Sequence, residues 1–131
     1  MSRTIVVAYT PDQFGQAAVE AAVAEARLRD AELLVVNGTR GDALVDDSFA
    51  GSAQLTELTA RLAATGVSAE VRQVVGADVG DLVVEVAQER GAILVVVGVR
   101  RRSPVGKLLM GSVSQRILLT ADCPVLAVKP D

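Results

Sequence analysis

The run from Ala92 to Val97 carries no polar side chain, and it stops at Gly98. A strand with one wet face alternates apolar and polar residues, whereas a run without alternation belongs to a strand covered on both faces. Strands of that kind occur in parallel sheets flanked by helices, so this short segment points the whole chain to an α/β layering. Ile5 to Tyr9 and Leu33 to Val36 repeat the pattern, each followed by turn-forming residues, Thr10-Pro11 and Asn37-Gly38.

Helical spacing fills the intervals. Thr10-Pro11-Asp12-Gln13 has the form of a capping box with Thr10 as the cap and Pro11 at the first helical position. The helix it opens is expected to run to about Arg29, with Val19, Ala22, Val23 and Ala26 inward and Glu20 and Arg27 outward. After the second strand comes a polar stretch containing Thr39, Arg40, Asp42, Asp46, Asp47 and Ser48, and then a helix marked by Leu55, Leu58 and Leu62 that Gly66 should close. Val67 to Val75 alternates in part, the pattern of a strand nearer the sheet edge. Asp78 is the expected cap of a third helix with Leu82, Val83 and Val86 inward; a fourth helix spans about Ser112 to Leu119, and Val125 to Val128 forms a fifth strand. The expected fold is one domain over residues 1–131: a doubly wound, five-stranded parallel sheet with helices on both faces.

In such sheets ligands sit beyond the carboxyl ends of the strands, where the winding reverses. Thr10, Pro11 and Asp12 follow the first strand, Asn37 and Gly38 the second, and Gly98, Arg100, Arg101 and Arg102 the fourth, so these three loops are expected to share one mouth. The last loop also carries Lys107 and reaches Gly111-Ser112, where a helix begins. Glycines, cations and a helix N-terminus describe an anion pocket, because unpaired N–H groups and the positive end of the helix dipole point the same way. The plainer alternative is a solvated basic loop with ordinary strand-end and cap glycines. A P-loop is excluded, since it would need Gly at Arg101 and Ser or Thr at Leu108, and no G-x-G-x-x-G follows a strand.

Composition narrows the chemistry. The net charge is −3 and aromatics are 2% of residues, which disfavours a nucleic-acid surface and suits a small anion instead. The chain has no histidine, so His-based nucleophilic catalysis and His metal sites are absent. Cys123 is the one cysteine, which precludes an intrachain disulfide and fits a reducing compartment. Met1 to Thr4 leads straight into a strand and the apolar runs fall far short of a membrane span, so the expectation is a cytoplasmic protein without a membrane partner.

The placement of Gly98, Arg101 and Gly111-Ser112 resembles the nucleotide loop of the universal stress protein family, in which the position of Arg101 is usually Gly. The neighbouring run from Lys107 to Ile117 and the closing Cys123-Pro124-Val125-Leu126-Ala127-Val128 also resemble that family, and the resemblance covers the whole chain. It implies a stress-response or signalling module that forms a homodimer through Val125 to Val128, with an unidentified protein partner and no dedicated catalytic residues, although slow turnover of a nucleotide by water is compatible with it. In the branch that binds ATP, Gly98 and Gly111 would let the backbone approach phosphates, Ser112 and Val113 would offer a hydroxyl and N–H groups, and Gly38 would lie near the adenine. ATP, ADP or AMP with Mg²⁺ is the cofactor so implied. The chain departs from that branch at Thr10-Pro11, where an Asp is common, and at Arg101. A nucleotide-free dimeric interaction protein is the other reading of the resemblance.

Overall fold

The computed structural model describes residues 3–39, 50–76, 78–99 and 111–130. In chain order the elements are β1 (Arg3–Tyr9), α1 (Gln13–Arg29), β2 (Ala31–Thr39), α2 (Ser52–Ala64), β3 (Ala69–Val75), α3 (Val79–Arg90), β4 (Leu94–Gly98), α4 (Ser112–Thr120) and β5 (Val125–Val128). The strands form one sheet in the order β3-β2-β1-β4-β5, and every neighbouring pair is parallel. The expected doubly wound α/β sheet is what the chain adopts. Winding runs outward from β1 in one direction through β2 and β3 and in the other through β4 and β5, so the crevice lies between the ends of β1 and β4.

The unalternating strands divide their side chains between two cores. Ile5, Val7, Leu33, Val35 and Val96 pack under α1 and α2, against Ala18, Ala22, Ala26, Leu58 and Leu62. Val6, Leu34, Val36, Val95 and Val97 point the other way, against Val83, Val84, Val86 and Ala87 of α3 and Ile117 of α4. Small side chains on α1 let that helix pack close to the sheet, which is how a chain so poor in aromatics still buries its central strands β1, β2 and β4.

Several boundaries differ from those expected. β2 continues through Asn37 and Gly38 to Thr39, because β3 pairs with it along this stretch, Asn37 with Gln73 and Thr39 with Val75. β3 is an edge strand as its partial alternation indicated. Thr65, not Gly66, takes the C-cap position of α2; Gly66 follows it at φ 77°, a left-handed conformation that glycine adopts without a Cβ clash. Asp78 caps α3 as expected, its carboxylate accepting the Asp81 amide at 3.0 Å. Among the described residues no helix is long and apolar enough to cross a membrane.

Candidate functional site

At the end of β1 the cap of α1 is Asp12 rather than Thr10. Asp12 Oδ1 accepts the amides of Phe14 and Gly15, each at 3.0 Å, and also the Thr10 hydroxyl at 2.7 Å. The Asp12 amide in turn donates to the Thr10 carbonyl at 2.8 Å. Pro11 therefore stands before the helix instead of inside it. A carboxylate outcompetes a hydroxyl for orphan helix amides because it carries charge toward the positive end of the dipole. The Thr10 hydroxyl spends its hydrogen on Asp12 and keeps lone pairs as acceptors.

The ends of β1, β2 and β4 and the starts of α1, α3 and α4 enclose a cavity of about 260 Å³. Thr10 and Asp12 line it, as do Gly38, Gly98, Gly111, Ser112 and Val113. Pro11 is not part of its lining. Arg100, Arg101 and Arg102 lie outside the described residues. The lining combines the apolar side chains of Ala8, Val36, Val79, Val83 and Val97 with Ser112 and Ser114 of α4. The cap of α4 is Gly111, which supplies no side-chain acceptor, so the helix presents its first-turn amides without the kind of carboxylate that closes α1.

The glycines of the site serve different neighbours. A Cβ on Gly98 would collide with the Phe14 backbone, and one on Gly38 would stand 2.7 Å from Val79 Cγ1. Those two positions are small because α1 and α3 pack onto them. Gly111, by contrast, has nothing within 4 Å of a built Cβ among the described residues, and its φ of −67° is open to any residue.

Two polar residues shape this end of the sheet in roles the sequence did not indicate: Asn37, expected in the loop at the mouth, lies inside β2 and off the cavity's lining, and Ser114 was not singled out. Asn37 is fully buried; its Nδ2 donates to Tyr9 O at 2.8 Å and its Oδ1 accepts Ala50 N at 2.8 Å and Gln73 Nε2 at 3.1 Å. It thereby ties β1, β2, β3 and the start of the α2 segment together beside the cavity. The signal available was a lone amide at the end of an apolar strand, which a packed core tolerates only when its hydrogen bonds are met. Ser114 is the other, with its hydroxyl donating to Gly98 O at 3.1 Å.

Cys123 lies at the opposite end of the sheet, just before β5, and burial pushes its thiol pKa up, with Asp122 adding to the rise. Such a thiol holds less thiolate than a free one. Among the described residues no group of three or more His, Cys, Asp or Glu side chains is placed to hold a metal ion.

A family model described as the universal stress protein family matches residues 1–129. The chain belongs to that family. Among universal stress proteins, one from Mycolicibacterium smegmatis is 51% identical over 126 residues, covering 96% of this chain and 97% of its own length. The structure of a universal stress protein from Archaeoglobus fulgidus superposes with a TM-score of 0.80 at 29% identity, covering 98% of this chain and 99% of that one. A universal stress protein crystallised in complex with cAMP has a TM-score of 0.73 at 30% identity, with coverage of 99% and 98%.

Proposed function

We propose that this universal stress protein binds an adenine nucleotide, ATP, ADP or AMP, in the cavity between β1 and β4 and acts as a dimeric stress-response or signalling module. The observation that carries the reading is a lining that combines apolar side chains at Val36, Val79 and Val83 with the start of α4 at Gly111, Ser112 and Val113. A nucleotide asks for both, apolar surface for its flat base and helix amides for its anion. The relative in complex with cAMP supports an adenine ligand. Gly111 would admit a phosphate to the Ser112 and Val113 amides, Gly38 and Val79 would border the base, and the acceptor lone pairs of Thr10 would take a donor of the ligand. Arg100, Arg101 and Arg102 would add cationic contacts from the adjoining loop.

Mg²⁺ would arrive with the phosphates. The cavity's described lining offers one carboxylate, Asp12, and its Oδ1 is occupied by three donors. A cation that keeps most of its waters and is bridged by substrate phosphates needs little more from the protein. Among the described residues Asp12 is the one carboxylate on the cavity, and its Oδ1 already serves as the cap of α1, which supports binding rather than turnover as the role.

The dimer is proposed on the contrast between the two sheet edges. β3 exposes Glu70 and Arg72, charges that discourage strand pairing, whereas β5 is Val-Leu-Ala-Val and follows a helix whose Leu119 is 74% exposed. Antiparallel pairing of Val125 to Val128 about a two-fold axis would cover that edge on both subunits.

Native mass spectrometry of the purified protein, with titration of a fluorescent ATP analogue, tests the nucleotide reading; the chain has no Trp to interfere. A co-purified or saturable adenine nucleotide is the expected result. No bound mass and no saturable signal at millimolar ligand would leave the nucleotide-free dimer as the function.

A further inference from the structure

A serine in the first turn of a helix ordinarily satisfies its hydroxyl locally, on the backbone of its own helix or on the cap. Ser114 does otherwise: its hydroxyl donates to the carbonyl of Gly98, a residue 16 positions earlier and the last of β4. The side chain is 8% exposed, so water is poorly placed to replace the partner. We infer that Ser114 is a positioning residue, a direct tie between the end of β4 and the start of α4 that sets the direction in which the Ser112 and Val113 amides face the cavity.

Among the described residues few other polar contacts hold this end of the helix. α4 has no side-chain cap at its start. Its ion pair, Arg116 with Asp81 at 2.6 Å, joins side chains that are each about half exposed, where such pairs contribute little. Ile117 is fully buried and anchors the middle of the helix, while in the first turn Val113 is only partly buried against the same core. Ser114 is the residue of that turn with both burial and a bond to another element. Ser112 stands two positions away, about 200° around the helix. Both serines line the cavity, but Ser112 is exposed there, whereas Ser114 is buried with its hydroxyl held by the end of β4.

The functional consequence rests on the nucleotide reading, but the tie itself does not, and the experiment separates them. Amide hydrogen exchange in the ligand-free protein follows the Gln115 N–H, which donates to Gly111 O at 3.0 Å and so reports fraying of the first turn. In Ser114→Ala that amide is expected to lose about tenfold in protection, the size of one ordinary hydrogen bond, while amides of α1 and α3 are unchanged. Ser114→Thr, which keeps the hydroxyl, should restore it. With nucleotide, Ser114→Ala should weaken ATP about tenfold and adenosine less than about twofold, since only the triphosphate uses the helix start. Unchanged Gln115 exchange in Ser114→Ala overturns the tie. Loss of ATP and adenosine affinity in equal measure, in step with a lower melting temperature, overturns the positioning role in favour of general stability. Altered exchange with no nucleotide binding in any form supports the tie and overturns the nucleotide reading alone.

Discussion

The backbone of Phe14, in the first turn of α1, occupies the space that a Cβ on Gly98 would need. The last residue of β4 is therefore a glycine because a helix from the other half of the sheet comes down on it, whatever the cavity holds. Gly111, across the same cavity, has no such neighbour among the described residues. Gly98→Ala should cost about 1–3 kcal/mol of stability by overpacking. Gly111→Ala should cost no more than about 1 kcal/mol, the loss of a Gly N-cap to a poorer Ala one with no steric clash among the described residues, yet should weaken nucleotide binding by placing a methyl group at the mouth. Urea unfolding paired with nucleotide titration separates the two; equal stability losses would show that the contrast in their surroundings has no energetic weight.

Removing the carboxylate that caps α1 leaves the Phe14 and Gly15 amides and the Thr10 hydroxyl without their shared acceptor. Asp12→Ala is expected to destabilise the protein by about 0.5–2 kcal/mol, and Asp12→Asn, another good cap, by much less. Denaturant midpoints of the two variants check this. An effect of Thr10→Ala as large as that of Asp12→Ala would restore Thr10 as the cap.

The orientation of β5 decides which substitution probes a dimer. Pro124 O and Val128 O accept from the Val95 and Val99 amides at 3.0 and 2.8 Å. By the two-residue period of a strand Leu126 also turns its backbone toward β4, while Val125 and Ala127 turn theirs to the open edge. Ala127→Pro should remove an outward donor and dissociate the dimer with the fold intact, whereas Leu126→Pro should break the ladder between β4 and β5. Sedimentation and circular dichroism distinguish these outcomes. A wild-type monomer at micromolar concentration would end the proposal.

Arg101 lies in the basic loop outside the described residues, at the position where the family usually has Gly. On the nucleotide reading its guanidinium contributes a charge-assisted contact of about 1.5–3 kcal/mol, so Arg101→Ala should weaken ATP roughly tenfold or more and adenosine little. If the arginine instead fills the phosphate site, Arg101→Gly should tighten ATP. Titration of both ligands at two salt concentrations decides between these, and equal affinities throughout would remove Arg101 from the site.

Stability should fall on the alkaline side of neutrality. Burial raises the Cys123 thiol pKa, and burial raises that of Tyr9, with Arg61 opposing and Asp12 and Glu57 adding. Both groups hold their protons more tightly folded than unfolded. Their contribution is therefore present below the ordinary thiol and phenol values, about 8.5 and 10, and is lost as pH rises through the raised folded values. Urea midpoints measured from pH 7 upward should decline, first through Cys123, and Cys123→Ala should flatten that first part. A decline unchanged by Cys123→Ala would assign it to other groups.

The amino-acid sequence alone determined the sheet and the order of its elements. Burial on both faces leaves a local signature in runs such as Ala92 to Val97, and Val125 to Val128 and Asp78 were legible for the same reason: strand pattern and cap chemistry are carried by adjacent residues. The choice of Asp12 over Thr10 as a cap was not, because two acceptors within one turn compete and the winner depends on where the chain enters the helix. Nor could the sequence tell that Gly98 is small for Phe14 while Gly111 has open space, that Asn37 gathers Tyr9, Ala50 and Gln73, or that Ser114 bonds to Gly98. Those relations join residues far apart in the chain. They arise only when helices from both halves of the sheet pack onto its ends, where steric exclusion and hydrogen-bond satisfaction act between neighbours that no local pattern specifies.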